Sequence, residues 1–178
     1  MHADGLLRLE TFRGDDAVAV VIETPKGSRN KLSYKEGVFQ LSGVLPEGSV
    51  FPYDFGFLPS TKGGDGDPLD VLVLLDESVP MGCVVEARLI GVIEAEQKEK
   101  NGEVERNDRL IAVATHAHTH KHIHKLDDLR PGLIDEIEHF FMGYNEIKGK
   151  EFRPLRRGGP DKAREVAKKG RERFGRQS

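Results

Sequence analysis

Residues 69–75 (LDVLVLL) form a run that is apolar but for one aspartate. A short, nearly continuous apolar run of this kind reads as a strand buried on both faces. The segment that feeds it has the opposite character. Gly63-Gly64-Asp65-Gly66-Asp67-Pro68-Leu69-Asp70 packs three carboxylates into six residues. Like charges so close repel one another unless water or a cation screens them. The glycines allow backbone conformations that other residues resist, and Pro68 stiffens the turn. The carboxylates therefore stand at the mouth of a rigid element, where a site is held accurately. Carboxylate and water oxygens suit Mg²⁺, which keeps several waters and takes substrate phosphates as further ligands. A calcium-binding EF-hand loop does not fit, because Leu69 falls at its fifth position and Asp70 where it needs glycine. The simpler alternative is an exposed acidic turn in which Asp65 and Asp67 cap backbone amides. The three-acid pattern entering a buried strand favours metal binding by Asp65, Asp67 and Asp70, and through metal a phosphorylated substrate.

The rest of the chain is consistent with one domain over residues 1–178. Residues 17–23 (AVAVVIE) read as a strand, and 24–30 as a turn cluster. Residues 31–41 read as a hairpin around Glu36-Gly37. Residues 50–58 (VFPYDFGFL) are aromatic and extended, with Pro52 near an edge or bend. Strands at 84–94 and 109–115 flank a charged stretch whose Asn101-Gly102 signals a hairpin. Leu133, Ile134, Ile137, Phe140, Phe141 and Tyr144 mark one buried helix face, with Gly143 beginning its end. A basic C-terminal helix is expected at about 161–175, with Asp161 as N-cap and Ala163, Val166, Ala167 and Phe174 facing inward. Strands first and helices last argue an α+β fold, and about five short, bent strands suit a small closed barrel.

Composition narrows the function. Hydrophobic residues make up 37 %, enough for a core, and charged residues 32 %. No apolar run approaches the roughly 18 residues of a membrane helix, and residues 1–10 lack a secretory pattern. These features read as cytoplasmic. Cys83 is the only cysteine, which excludes an internal disulfide, and its apolar neighbours suggest buried filler. The net charge of −3 speaks against general nucleic-acid affinity. From Glu146 onward twelve Lys and Arg face five Asp and Glu, which reads as a solvated helix face rather than a recognition surface. His116, His118, His120, His122 and His124 alternate, so an extended chain would put them on one face and within reach of Zn²⁺. An exposed polar loop is the favoured reading of that tract.

Asp65-Gly66-Asp67-Pro68-Leu69-Asp70-Val71 resembles the signature of soluble family I inorganic pyrophosphatases. Residues 20–31 (VVIETPKGSRNK) resemble that family's early strand and loop, and 51–57 (FPYDFGF) its aromatic segment. His122-Ile123, Asp127-Asp128-Leu129 and His139-Phe140-Phe141 follow at family-like spacing. The colinear resemblance spans about residues 17–152. It implies a bent five-stranded β-barrel of OB type flanked by helices, in a homo-oligomer that in bacteria is often a hexamer. It implies hydrolysis of pyrophosphate to two phosphates with Mg²⁺, or alternatively Mn²⁺ or Zn²⁺. Two nearby metals would clamp the attacking and bridging oxygens. By the same resemblance Asp65, Asp67 and Asp70 hold metal, and Asp67 accepts the proton of the attacking water. Glu23 supports the metal shell. Lys31, Tyr144 and Arg109 serve phosphate, and Asn107 and Glu99 complete the metal set.

The chain also departs from the family pattern. Ser33 stands for a glutamate and Gly43 for a phosphate-binding arginine. Phe51 and Phe55 stand for tyrosines, Asn107 for a metal-binding aspartate and Glu99 for a shorter acid. Arg109 and Asn145 each stand for a lysine. Each lost hydrogen bond to a charged phosphate costs about 1.5–3 kcal/mol. Arg29, Tyr34, Tyr53, Asp108, Lys148 and Lys150 are the nearby candidates to compensate. Two further readings follow from the substitutions: a hydrolase of another phosphoanhydride, and an impaired homologue that binds metal or diphosphate without turnover.

Overall fold

A computed structural model describes residues 5–176. Residues 1–4 and 177–178, the ends of the expected single-domain span, lie outside the described residues. In chain order the strands are β1 (Phe12–Arg13), β2 (Ala17–Thr24), β3 (Asn30–Lys35), β4 (Val38–Val44), β5 (Asp54–Phe57), β6 (Asp70–Leu74), β7 (Val84–Lys98), β8 (Val104–Arg106), β9 (Arg109–Ala114) and β10 (Glu151–Gly158). The helices are α1 (Leu133–Ile147) and α2 (Pro160–Gly175).

Five of these strands close on themselves. β2 pairs with β5, β5 with β6, β6 with β9, β9 with β7, and β7 back with β2. The expected five-stranded barrel is therefore present. Its interior explains the apolar runs: β2 is buried throughout, and so are β6 after Asp70 and all of β9. β7 makes closure possible. Its first half pairs with β2, and its second half with β8 and β10. Its register shifts between Leu89 and Gly91, and such bulges bend a strand.

Several local expectations are corrected. β7 runs to Lys98 rather than stopping at Glu94, because Ile93, Ala95 and Gln97 are buried and Glu94 between them is buried too, held by Arg106 and Arg156. The aromatic segment is a strand only over β5, which is interior and paired on both sides, while Pro52 lies in the bend before it, as expected. α1 continues through Gly143 to Ile147. A glycine costs a helix about 1 kcal/mol, which the buried Leu133, Ile134, Ile137 and Phe141 outweigh. The N-cap of α2 is Gly159, with Pro160 opening the helix and Asp161 in its first turn. Pro at that position lacks only an amide that would go unpaired anyway. Cys83 is half-buried rather than buried. The histidine tract is a series of turns, in line with the polar-loop reading, with His116, His118, His122 and His124 exposed and His120 half-buried. No three of them converge on a metal position among the described residues.

α2 lays Ala163, Ala167 and Gly170 on the barrel and leaves most of its basic residues outside. It also supports the acidic loop. A side chain at Gly170 would meet Leu69 Cδ1 at 2.6 Å and Thr61 Cβ at 3.3 Å. The amide of Lys62 donates to the Gly170 carbonyl at 2.9 Å. The helix backbone thus forms the floor on which the loop before β6 rests.

Candidate active site

A cavity of about 440 Å³ opens where the barrel, the β3–β4 hairpin and the end of α1 meet. Glu23 enters it from β2, Lys31 from β3, Asp65 and Asp67 from the loop, and Asp70 from the first position of β6. Asn107 and Arg109 come from the start of β9, Glu99 from the turn after β7, and Tyr144 from α1. All nine residues that sequence reasoning assigned to the site therefore line one space, as do Ser33, Phe51, Phe55 and Asn145. Gly43 lies opposite Lys31 on β4. Of the candidate compensators, Tyr34, Lys148 and Lys150 reach the cavity. The others are engaged elsewhere: Arg29 with Glu47 and the Leu45 carbonyl, Asp108 with Arg106 and the Ala95 amide, and Tyr53 with Lys26.

Topology fixes the acid–base pairing. β6 and β9 run parallel with Asp70 directly beside Arg109, and these two side chains form an ion pair. Arg109 is 5 % exposed and packs against aromatic rings, 4.8 Å from the centroid of Phe141 and 5.4 Å from that of Phe152. Burial lowers its pKa to about 10, which still leaves it a cation at neutral pH. Its Nη1 also donates to Asn107 Oδ1 at 2.7 Å. Asn107 Nδ2 donates to Gln97 Oε1 at 2.9 Å, and Gln97 Nε2 to Glu99 at 2.6 Å. The far wall is thus a chain of amides ending on a carboxylate that Lys150 holds at 2.8 Å. Gln97 escaped sequence reasoning. The signal was its alternation with the buried Ile93 and Ala95, hidden by the charges at Glu94, Glu96 and Lys98.

Glu23 and Lys31 sit 3.9 Å apart, both nearly buried. Burial pushes the Glu23 carboxyl up and the Lys31 ammonium down. Desolvation outweighs this loose pairing in both groups, so each gains from a further oppositely charged partner. Burial also raises Asp65, and the adjacent Asp67 carboxylate adds to the rise. Neither Asp65 nor Asp67 forms an ion pair among the described residues. Tyr144 is pushed up to about 12 by burial, so its phenol remains a hydrogen-bond donor.

A family model described as inorganic pyrophosphatase matches residues 20–175. The chain belongs to the inorganic pyrophosphatase family. It is 38 % identical to the inorganic pyrophosphatase of Thermus thermophilus over 141 residues, 78 % of each chain. It is 37 % identical to that of Helicobacter pylori over 147 residues, 80 % of this chain and 82 % of the relative. The crystal structure of the Thermus thermophilus pyrophosphatase superposes with a TM-score of 0.86 at 34 % identity, over 96 % of this chain and 98 % of that one. The barrel is thus the pyrophosphatase fold, and the cavity lies among the residues that carry the family resemblance.

The donor set can be tested against the metal that pyrophosphatase chemistry implies. No three His, Cys, Asp or Glu side chains converge into a ready cage among the described residues. Asp70 is shared with Arg109, which leaves Asp65 and Asp67 as hard oxygen donors. A cation bound by one or two carboxylates, with water and substrate phosphate completing its shell, fits this arrangement, and Mg²⁺ binds in that way. An ion that needs a full protein cage does not fit.

Proposed function

We propose that this chain hydrolyses inorganic pyrophosphate to two phosphates with a divalent metal ion, and that Mg²⁺ is that ion. The observation that carries the reading is the division of one cavity into two sides. Asp65 and Asp67 are acids without ion-pair partners among the described residues, and Lys31, Arg109, Lys148 and Tyr144 face the same space. A polyanion accompanied by a cation satisfies both sides. The ion would rest on Asp65 and Asp67, with Asp70 and Glu23 in support. When bound it acidifies water and offsets phosphate charge. Asp67, on the solvent-facing loop, accepts the proton as the water oxygen bonds to phosphorus. The bridging P–O bond then breaks, and the second phosphate leaves. Lys31, Arg109 and Tyr144 orient the phosphate oxygens. Asn107 and Glu99, tied into the amide chain, hold the far wall and would line the metal's surroundings.

The setting that the family resemblance implies is a cytoplasmic homo-oligomer, up to a hexamer. Exposed Met142, Ile147 and Leu155 supply apolar surface for contacts between copies. No helix among the described residues is long and apolar enough to cross a membrane.

A second reading, hydrolysis of a nucleotide or short polyphosphate, is favoured by the hydroxyl-free wall of Phe51 and Phe55. Phosphate release from pyrophosphate, tripolyphosphate and ATP with Mg²⁺, Mn²⁺ and Zn²⁺ separates the two. Pyrophosphate with Mg²⁺ is expected to lead by orders of magnitude. Comparable rates on the longer substrates favour the second reading. No turnover from folded protein leaves a homologue that binds without hydrolysing.

The amide wall makes its own prediction. Asn107→Asp places a carboxylate beside Gln97, within reach of Arg109. It is expected to tighten Mn²⁺ binding in the absence of substrate by about tenfold or more, read by calorimetry. Unchanged affinity would mean that Arg109 neutralises the added charge.

A further inference from the structure

Lys148 caps the C-terminal end of α1. A lysine there ordinarily complements the helix dipole and points into solvent. This one turns back by one helical turn. Its Nζ donates to the Tyr144 hydroxyl and lies 4.3 Å from the centroid of that ring. The side chain is half-buried, lines the cavity, and forms no ion pair with a carboxylate among the described residues. Lys31, Lys150, Arg109 and Lys35 all press on its charge, and the acid that feels it, Glu99, is already held by Lys150. Of these, Lys31, Arg109 and Lys150 each have an acid partner. Lys148 has none.

Across the cavity is Gly43. A Cβ built on it would lie 3.7 Å from Lys31 Cβ and 3.9 Å from Lys148 Cε. The stem of Lys148 therefore passes in front of the bare position on β4, on which Lys31 also borders. Two ammonium-bearing chains from different elements flank the place where the hairpin contributes no side chain of its own.

We propose that Lys148 is a phosphate-binding residue of this chain: its ammonium, reaching across from the end of α1, supplies at Gly43 the cation that β4 lacks, and with Tyr144 it grips one phosphate of the substrate. The inference rests on the reading of this cavity as a diphosphate site. Burial and the surrounding cations pull the Lys148 ammonium down to about 8. An ammonium so placed is costly to keep charged without an anion, and a bound phosphate removes that cost. A charge-assisted contact to phosphate is of the strong kind, and the Tyr144 hydroxyl, which accepts from Lys148, keeps its own proton to donate.

The test uses the full chain with Lys148→Met, Lys148→Arg and the double change Gly43→Arg/Lys148→Met. Calorimetry reads the affinity for methylenediphosphonate, a diphosphate that cannot be hydrolysed, and steady-state kinetics reads KM and kcat for pyrophosphate. Lys148→Met is expected to weaken diphosphonate binding by about 10- to 100-fold, with KM rising in step. Lys148→Arg retains most of the affinity. The double change recovers a substantial part, because a Cβ at Gly43 meets only ordinary contacts and Lys148→Met removes the competing ammonium. A merely structural lysine would not be rescued from the opposite strand. Unaltered affinity and KM in Lys148→Met, with pyrophosphate turnover intact, would overturn the inference and leave the pyrophosphatase reading standing. A wild-type chain without turnover that still binds diphosphonate through Lys148 would overturn that reading and leave the inference standing.

Discussion

Asp67→Asn is expected to lower kcat for pyrophosphate by about 10²–10⁴-fold, the range for loss of a positioned proton acceptor. The substitution keeps the size and one oxygen of the side chain, so loop geometry and substrate affinity change less than kcat does. Stability is expected to hold. Asp67 is exposed and carries no ion pair among the described residues, and its charge raises the pKa of Asp65. Removing that charge relieves a repulsion and lets Asp65 ionise more readily. The direction follows from linkage: a carboxyl whose folded pKa is raised destabilises the fold above its unfolded pKa, and lowering the folded value removes that penalty. Phosphate release and a thermal melt on the same preparation check both parts. A variant that retains more than about a tenth of wild-type kcat would place the proton acceptor elsewhere.

Gly56→Ala is expected to have the largest effect on stability. A Cβ there would lie 2.0 Å from the Val21 carbonyl oxygen and 2.8 Å from its carbon. Both are backbone atoms of β2, inside the barrel ring, so no side chain can step aside. The register between the two strands already shifts at this point. Overpacking typically costs about 1–3 kcal/mol, and a backbone collision belongs at the top of that range or beyond. For a domain of this length 3 kcal/mol corresponds to about 6–12 °C in melting temperature. Activity is expected to fall with it, because Phe55 and Phe57 on either side of Gly56 form the cavity wall. A melting temperature within about 2 °C of wild type would show that β2 and β5 separate more easily than their pairing suggests.

Much of this architecture was legible because the barrel is made of short apolar runs, and burial on both faces leaves little choice of residue. The helix faces were legible for the same reason. What stayed hidden was set by contacts between distant segments. Gln97 reads as one polar residue among charges until the alternation of β7 is followed inward past Glu94. Gly143 looks like a helix end, yet tertiary packing carries α1 beyond it. The histidine tract was legible as a polar loop, but not its anchor: the amides of His118 and Thr119 donate to Asp76. The acidic loop announced its chemistry in six residues. The route of Lys148 depends on a hairpin and a helix end meeting over a gap, and nothing in its neighbours along the chain foretells that.

The packing of Leu69 on Gly170 has a consequence for the order of events during synthesis. The strands that close the barrel are complete by Ala114, whereas α2 follows every strand in the chain. An emerging polypeptide can therefore close its ring while the loop bearing Asp65 and Asp67 still lacks the surface beneath it. Closure of the ring and support of the acidic loop are thus written into separate stretches of the chain, residues 17–114 for the one and 160–175 for the other.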